Sequence, residues 1–193
     1  MSIGTEAKLA PETEQGTEES VKNLAGKYLT FYLAKEQFGL PILKVREIIG
    51  VMKITSIPNA ASYIRGVINL RGKIVPVMDL REKLHLCSVE QDRRNCIIVT
   101  EIKSDEGDYE IGLLVDSVSE VLDINENEIE PPPMMGAGVD TGCILGMAQS
   151  GQNVKILLDV QKIVLDMNSI MDGVEAIEEN EKIEECEESA VSV

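Results

Sequence analysis

The sequence predicts an all-β fold of the small-barrel kind, on three observations. Short runs rich in Val, Ile, Leu and aromatic residues recur about nine times between Tyr28 and Val160. Turn-forming residues separate them at close spacing, as at Pro58-Asn59, Arg71-Gly72, Asp105 to Asp108 and Ser150 to Asn153. Long helical patterns between these runs are scarce, and a parallel α/β sheet cannot be built without crossover helices. At 193 residues the chain has room for a sizeable core.

In chain order, YLTFYLA (28–34) is aromatic and β-branched and reads as a strand, followed through EQFG by a second short strand or bend. ILKVREII (42–49) places Ile42, Val45, Ile48 and Ile49 at the rhythm of a short helix that Gly50 stops. VMKIT (51–55) returns to alternation, ASYIRG (61–66) reads as a helix-like turn closed by Gly66, and VINL (67–70) as a strand. Arg71-Gly72 is a tight turn into the strand KIVPVMDL (73–80). There Pro76 has no N–H for a ladder and is expected at an edge or a bulge. LREKLHL (80–86) is a helical turn that Asp79 can cap, and the polar SVEQDRRN (88–95) divides the chain. CIIVTEIK (96–103) and YEIGLLVD (109–116) read as a hairpin and VSEVLDI (118–124) as a further strand. PPPMMGAGVDTG (131–142) reads as a loop, and ILGMAQS (144–150) and VKILLDV (154–160) as two more strands. Last comes a stripe at three- and four-residue steps, Val160, Ile163, Val164, Met167, Ile170, Met171, Val174 and Ile177. It predicts a terminal helix that either covers the body or binds a partner, and Gly173 weakens its far end.

Charge divides the chain into three. Residues 1–26 carry net −3, residues 27–167 net −5 and residues 168–193 net −8, for −16 in all. The two ends are expected to be acidic, mobile arms around a structured body at 27–167. So acidic a chain does not suit nucleic acid, whose phosphates require a basic face, nor anionic lipid. No apolar run approaches the ~20 residues of a bilayer-spanning helix. The first twenty residues hold five glutamates and no apolar stretch, unlike a signal peptide, so a cytoplasmic location is expected.

Catalytic chemistry finds little support. His85 is the single histidine, and Cys87, Cys96, Cys143 and Cys186 include no C-x-x-C pair or metal-ligand spacing, so no cofactor and no metal are expected. GAGVDTG (136–142) follows no strand and opens no helix, so it fails as a dinucleotide loop, and no Walker-type motif is present. Asp105 and Glu106 sit at a hairpin tip, where nothing shifts their acidities. What stands out instead is Arg65, Arg71, Lys73, Arg81 and Lys83 amid apolar residues of an acidic protein. Arg71, on a stiff turn, suits a bidentate contact to a carboxylate, either a partner's or one of the chain's own. A binding module is the leading class.

ILKVREIIG (42–50), Ile57-Pro58-Asn59, YIRGVINLRGKIVPVMDLREKL (63–84) and IGLLVDSVSEVL (111–122) resemble, in order, the CheW family of bacterial chemotaxis coupling proteins. The resemblance extends over about 27–166. The same module occurs in the regulatory domain of the kinase CheA and in CheV, but no kinase motif or second domain accompanies it here, so the stand-alone coupler matches best. The resemblance implies two small five-stranded β-barrels sharing a hydrophobic core, with the seam expected near 88–95, and a non-enzymatic adaptor. Its partners would be the cytoplasmic tip of a chemoreceptor (a methyl-accepting chemotaxis protein) and the regulatory domain of CheA, in membrane-associated arrays. It further implies receptor-binding roles for Val45, Gly66, Arg71, Val118 and Val121, and kinase-binding roles for Glu47 and Ile48. Gly66 and Gly72 can equally serve turn geometry alone. The competing readings are a similar scaffold in a non-motility sensory pathway and, in another class, a small thiol- or metal-dependent enzyme using His85 or a cysteine.

Overall fold

Runs such as CIIV and GLLV are apolar at consecutive positions, which a strand tolerates only when both of its faces are covered. The computed structural model, which describes residues 24–86, 94–104, 107–132, 142–150 and 153–164, shows how that is achieved. Eleven strands are described: β1 Gly26–Leu33, β2 Glu36–Pro41, β3 Val45–Gly50, β4 Ile64–Leu70, β5 Lys73–Asp79, β6 Cys96–Ile102, β7 Tyr109–Val115, β8 Ser117–Ile124, β9 Ile129–Glu130, β10 Ile144–Ser150 and β11 Asn153–Leu158. Two short α-helices, α1 Leu80–Lys83 and α2 Val160–Val164, and two 3₁₀ turns, Ile42–Lys44 and Glu126–Glu128, complete the list. The strands form a six-stranded sheet, β8-β1-β2-β11-β10-β9, and a five-stranded sheet, β3-β6-β7-β5-β4. Pairing is antiparallel except for β2 with β11 and β5 with β7.

The main core lies between the sheets. Leu29, Phe31, Leu33, Phe38 and Leu40 of the first meet Met78, Ile98, Ile111 and Leu113 of the second, and α2 adds Val160, Ile163 and Val164. Phe31 and Phe38, the only two phenylalanines of the chain, stack with centroids 6.0 Å apart. The opposite face of the five-stranded sheet buries Ile68, Val75, Val77, Ile97, Val99 and Leu114, and that of the six-stranded sheet buries Tyr28, Ile124, Ile129, Ala148 and Leu157. Ile97 and Ile98 therefore enter different cores, as do Leu113 and Leu114, which accounts for the unbroken apolar runs.

The chain changes sheets twice. It leaves the six-stranded sheet through a 3₁₀ turn at Ile42–Lys44 and returns at Asp116. Asp116 is a fastening point: its N–H donates to Tyr32 O at 3.1 Å, and its carboxylate accepts from Ala34 N at 2.6 Å and from the Arg81 guanidinium. The polar 88–95 stretch is no divide between the sheets, because β5 before it and β6 after it belong to the same one.

Several local expectations are corrected. ILKVREII is no helix beyond its first three residues: β3 alternates half-buried Val45, Glu47 and Ile49 with exposed Arg46, Ile48 and Gly50, and pairs with β6. Its β-branched residues favour that outcome, and the i, i+3 spacing also fits a strand edge. ASYIRG is a turn only to Tyr63, and β4 begins at Ile64. Of VMKIT, only Thr55 pairs, bridging Val67. Pro76 is not on an edge strand, since β5 lies between β4 and β7. Val67 turns both its backbone groups to Thr55, so the Val67–Pro76 pair exchanges no bonds, and the β7 ladder starts only at Val77. The described residues begin at Leu24, three before the expected Lys27, and the Leu24 carbonyl accepts from the Tyr28 hydroxyl at 2.6 Å. Of the C-terminal stripe, α2 is described, with Val160, Ile163 and Val164 buried. The two arms, apart from residues 24–26, and the 131–142 loop beyond Pro132 up to 141 lie outside the described residues.

Candidate partner-binding site

The Arg71 turn is built by its backbone. Leu70 pairs with Lys73 across Arg71 (φ 55) and Gly72 (φ 88), the two positive φ values that a two-residue hairpin turn requires. Asn69 Oδ1 accepts from Gly72 N at 2.8 Å and fixes the turn. The guanidinium then lies on Glu47, Nη2 to Oε2 at 2.7 Å and Nη1 to Oε1 at 3.1 Å, with the arginine side chain 77% exposed. Of the two partners the sequence left open, the fork thus takes one of the chain's own carboxylates. β3 and β4 are the two edges of the five-stranded sheet. The ion pair therefore joins those edges, a receptor-side expectation bonded to a kinase-side one.

A second tie joins them at Gly66. Thr55 and Val67 exchange two backbone hydrogen bonds of 2.8 Å, laying the segment after β3 along β4. Gly66 is buried beneath that crossing with φ +134, and a Cβ there would overlap the Thr55 carbonyl. Gly66 is thus required by the close approach of two backbones, the turn-geometry alternative in a more specific form. Asp79 caps α1, accepting from Arg81 N at 3.0 Å.

The remaining expected site residues divide between surface and core. Ile48 is 44% exposed on the outer face of β3, and Val121 is 50% exposed on β8, an edge of the six-stranded sheet. Val45 and Val118 are half-buried and pack on the core between the sheets. Sequence reading missed Leu43, Val51 and Met52, all exposed, the last two just after Ile48 in the chain. Leu43 fell within the helical reading of 42–49 and Val51 and Met52 within the alternating reading of 51–55, neither of which singles out an exposed apolar side chain. Arg46, on the exposed side of β3, pairs with Glu101 of β6, and that bond holds the Glu101 carboxyl below its ordinary range.

The groups an enzyme would need are differently disposed. His85 is an exposed residue with φ 54 at the end of α1. Cys96 and Cys143 are not in disulfides, and burial pushes the Cys96 thiol up, away from the reactive thiolate. Cys87 and Cys186 lie outside the described residues. Among the described residues no group of three His, Cys, Asp or Glu is placed to hold a metal ion, and no helix is long and apolar enough to cross a membrane.

The model of the CheW-like domain matches residues 27–167. The chain belongs to the CheW family. The chemotaxis protein CheW of Klebsiella aerogenes is 35% identical over 162 residues, covering 84% of this chain and 89% of that protein. CheW of Bacillus subtilis is 31% identical over 146 residues, 76% of this chain and 86% of its own. The crystal structure of the scaffolding protein TtCheW from Thermoanaerobacter tengcongensis superposes with a TM-score of 0.65 at 36% identity, covering 72% of this chain and 88% of that one. CheW proteins are non-enzymatic chemotaxis scaffolds, and the two-sheet, strand-dominated architecture here is theirs.

Proposed function

We propose that this CheW-family scaffold couples the cytoplasmic tips of chemoreceptors to the regulatory domain of CheA, working in the cytoplasm at membrane-associated arrays. The observation that carries the reading is the pair of exposed apolar side chains on edge strands, Ile48 on β3 and Val121 on β8. Isolated exposed aliphatics are common, but these coincide with the family motifs VREII and DSVSEVL. In this reading Val121, with the exposed parts of Val118 and Val45, faces the receptor. Ile48 faces the kinase, extended by Val51 and Met52. Arg71 and Glu47 act together as a brace that holds β3 in place between the two partners, and Gly66 shapes the same edge from beneath.

Capture of a receptor signalling fragment and of the CheA regulatory domain by the full chain tests the assignment. Both Ile48 and Val121 are exposed, so Ile48→Asp and Val121→Asp leave the fold intact. A charge at the apolar centre of an interface costs about 1.5–3 kcal/mol, or roughly ten- to hundredfold in affinity. Ile48→Asp is expected to lose kinase binding and keep the receptor, and Val121→Asp the reverse. Retention of both partners by both variants would discard the reading.

A further inference from the structure

The edge strand β8 holds one residue more than its neighbour β1 can match. On one side of the irregularity Leu122 and Val121 stand opposite Tyr28 and Leu29, and on the other Val118 and Ser117 stand opposite Phe31 and Tyr32. Ser119 and Glu120 thus share the place opposite Thr30, a β-bulge of two residues against one. Opposed residues of an antiparallel pair turn their side chains to the same face, and successive residues of a strand alternate. In a regular strand Val118 and Val121, an odd number of positions apart, would face opposite ways. The bulge instead puts both on the face of Leu29 and Phe31, which belong to the core between the sheets. Val118 packs on that core, and Val121, half exposed, lies on the same side.

A single side chain holds the bulge. Thr30 Oγ1 donates to Glu120 O at 2.8 Å and accepts from Glu120 N at 3.2 Å, so one hydroxyl meets both backbone groups of the surplus residue. Thr30 is wholly buried, on the face of β1 opposite Phe31; a valine would fill the same space and make neither bond. The two ends of β8 are fixed independently. At one, the Asp116 N–H donates to Tyr32 O, and at the other, Leu122 and Ile124 pack with Tyr28 on the outer face of the six-stranded sheet. The surplus residue is thereby confined between Val118 and Val121. Within the sheet β8 has a neighbour on one side only, and Thr30 is the residue of that neighbour that meets the bulge.

We propose that Thr30 is a positioning residue for the receptor-facing surface: its hydroxyl fixes the bulge at Ser119-Glu120 and thereby brings Val118 and Val121 to one face. The proposal rests on the assignment of these two valines to the receptor made above. A partner then meets two aliphatic side chains on one side of one strand, spaced as Leu29 and Phe31 are on β1, about 7 Å apart. Moving the surplus residue past either valine turns that valine to the other face and leaves a single contact.

Methyl NMR and receptor-fragment capture on the full chain, unmodified and as Thr30→Val, Thr30→Ser and Val121→Asp, test the proposal. Cross-strand contacts from Val121 to Leu29 and from Val118 to the Phe31 ring are expected in the unmodified protein and in Thr30→Ser, which keeps the hydroxyl. Thr30→Val should lose at least one of these contacts and weaken receptor capture roughly tenfold, with capture of the CheA regulatory domain unchanged. Thr30→Ser removes a buried methyl and so costs stability without releasing the bulge. A purely structural role would make binding follow the melting temperature in both variants and not the hydroxyl. Both contacts intact in Thr30→Val would overturn the proposal, as would lost contacts with undiminished receptor capture, or a Thr30→Ser variant that binds no better than Thr30→Val. Without any variant, the Glu120 amide is expected to be protected from hydrogen exchange, and exchange at the free-chain rate would equally overturn it. Val121→Asp keeps the two readings apart: if it retains the receptor, the receptor assignment falls, while the methyl contacts still decide whether the Thr30 hydroxyl sets the face.

Discussion

At Arg71 the backbone leaves the side chain few choices: two positive φ values and the Asn69 bond fix the turn, and Glu47 lies within reach of both guanidinium nitrogens. An exposed ion pair contributes about 0.2–1 kcal/mol, with bidentate geometry at the upper end. Arg71→Ala is therefore expected to lower the melting temperature by roughly 2–4 °C in a chain of this size. Arg71→Lys should recover only part, because an ammonium cannot span both carboxylate oxygens. Calorimetry and receptor capture on the same variants separate brace from anchor: lost binding at an unchanged melting temperature would mean that the fork leaves Glu47 for a partner. Gly66 is the sharper case. A Cβ there combines an unfavourable backbone conformation with the loss of both Thr55–Val67 hydrogen bonds, together about 3 kcal/mol or more. Gly66→Ala should lower the melting temperature by on the order of 10 °C, and a shift under 3 °C would refute the close approach as its reason.

Strand β3 is the element on which most of the candidate site depends. Its outer residue Arg46 holds Glu101 on β6, and the carboxyl is depressed by that bond first and by the guanidinium charge after the opposing effect of burial. A carboxyl depressed in the folded state stabilises the protein above its unfolded titration range, and that contribution disappears as pH falls through the folded value. Acid should thus loosen the β3–β6 pairing below the ordinary glutamate range, and Glu101→Gln should flatten this part of the melting-temperature profile between pH 6 and pH 3. Overlapping profiles would exclude the pair from acid sensitivity. β3 is also where the sequence was least legible. Ile42, Val45, Ile48 and Ile49 satisfy a helix as well as a half-buried edge strand, and only pairing with β6, distant in sequence, decides between them. The strands β6, β7 and β10 were readable because apolar runs bounded by turns leave a single solution. Arg71 was legible as a bidentate donor, whereas its acceptor was not. Glu47 lies twenty-four residues away, and nothing local signals that the sheet brings its own two edges together.

In the whole molecule, the family motifs made the architecture and the class of function readable, while the path of the chain between sheets was not. A polar stretch such as 88–95 looks like a boundary, yet the actual crossings are made at Pro41–Lys44 and at Asp116, whose carboxylate accepts from Ala34 and Arg81 while its N–H donates to Tyr32. The acidic residues of 178–193 hold few apolar anchors. Removal of 178–193 from the full chain is expected to leave both the melting temperature and partner capture unchanged, and a fall in either would show that the acidic end has a structural or binding role.

The six-stranded sheet draws its strands from both ends of the chain, with β2 paired in parallel to β11. Gln37 is matched with Lys155, more than a hundred residues later. During synthesis at roughly 5–20 residues per second, the β1–β2 hairpin thus emerges on the order of ten seconds before the strand that will cover its open side. The five-stranded sheet, assembled wholly from β3 to β7, is complete well within that interval. The nascent chain therefore carries a finished half and an exposed hairpin edge together, a window in which the edge can recruit a chaperone or a neighbouring nascent copy.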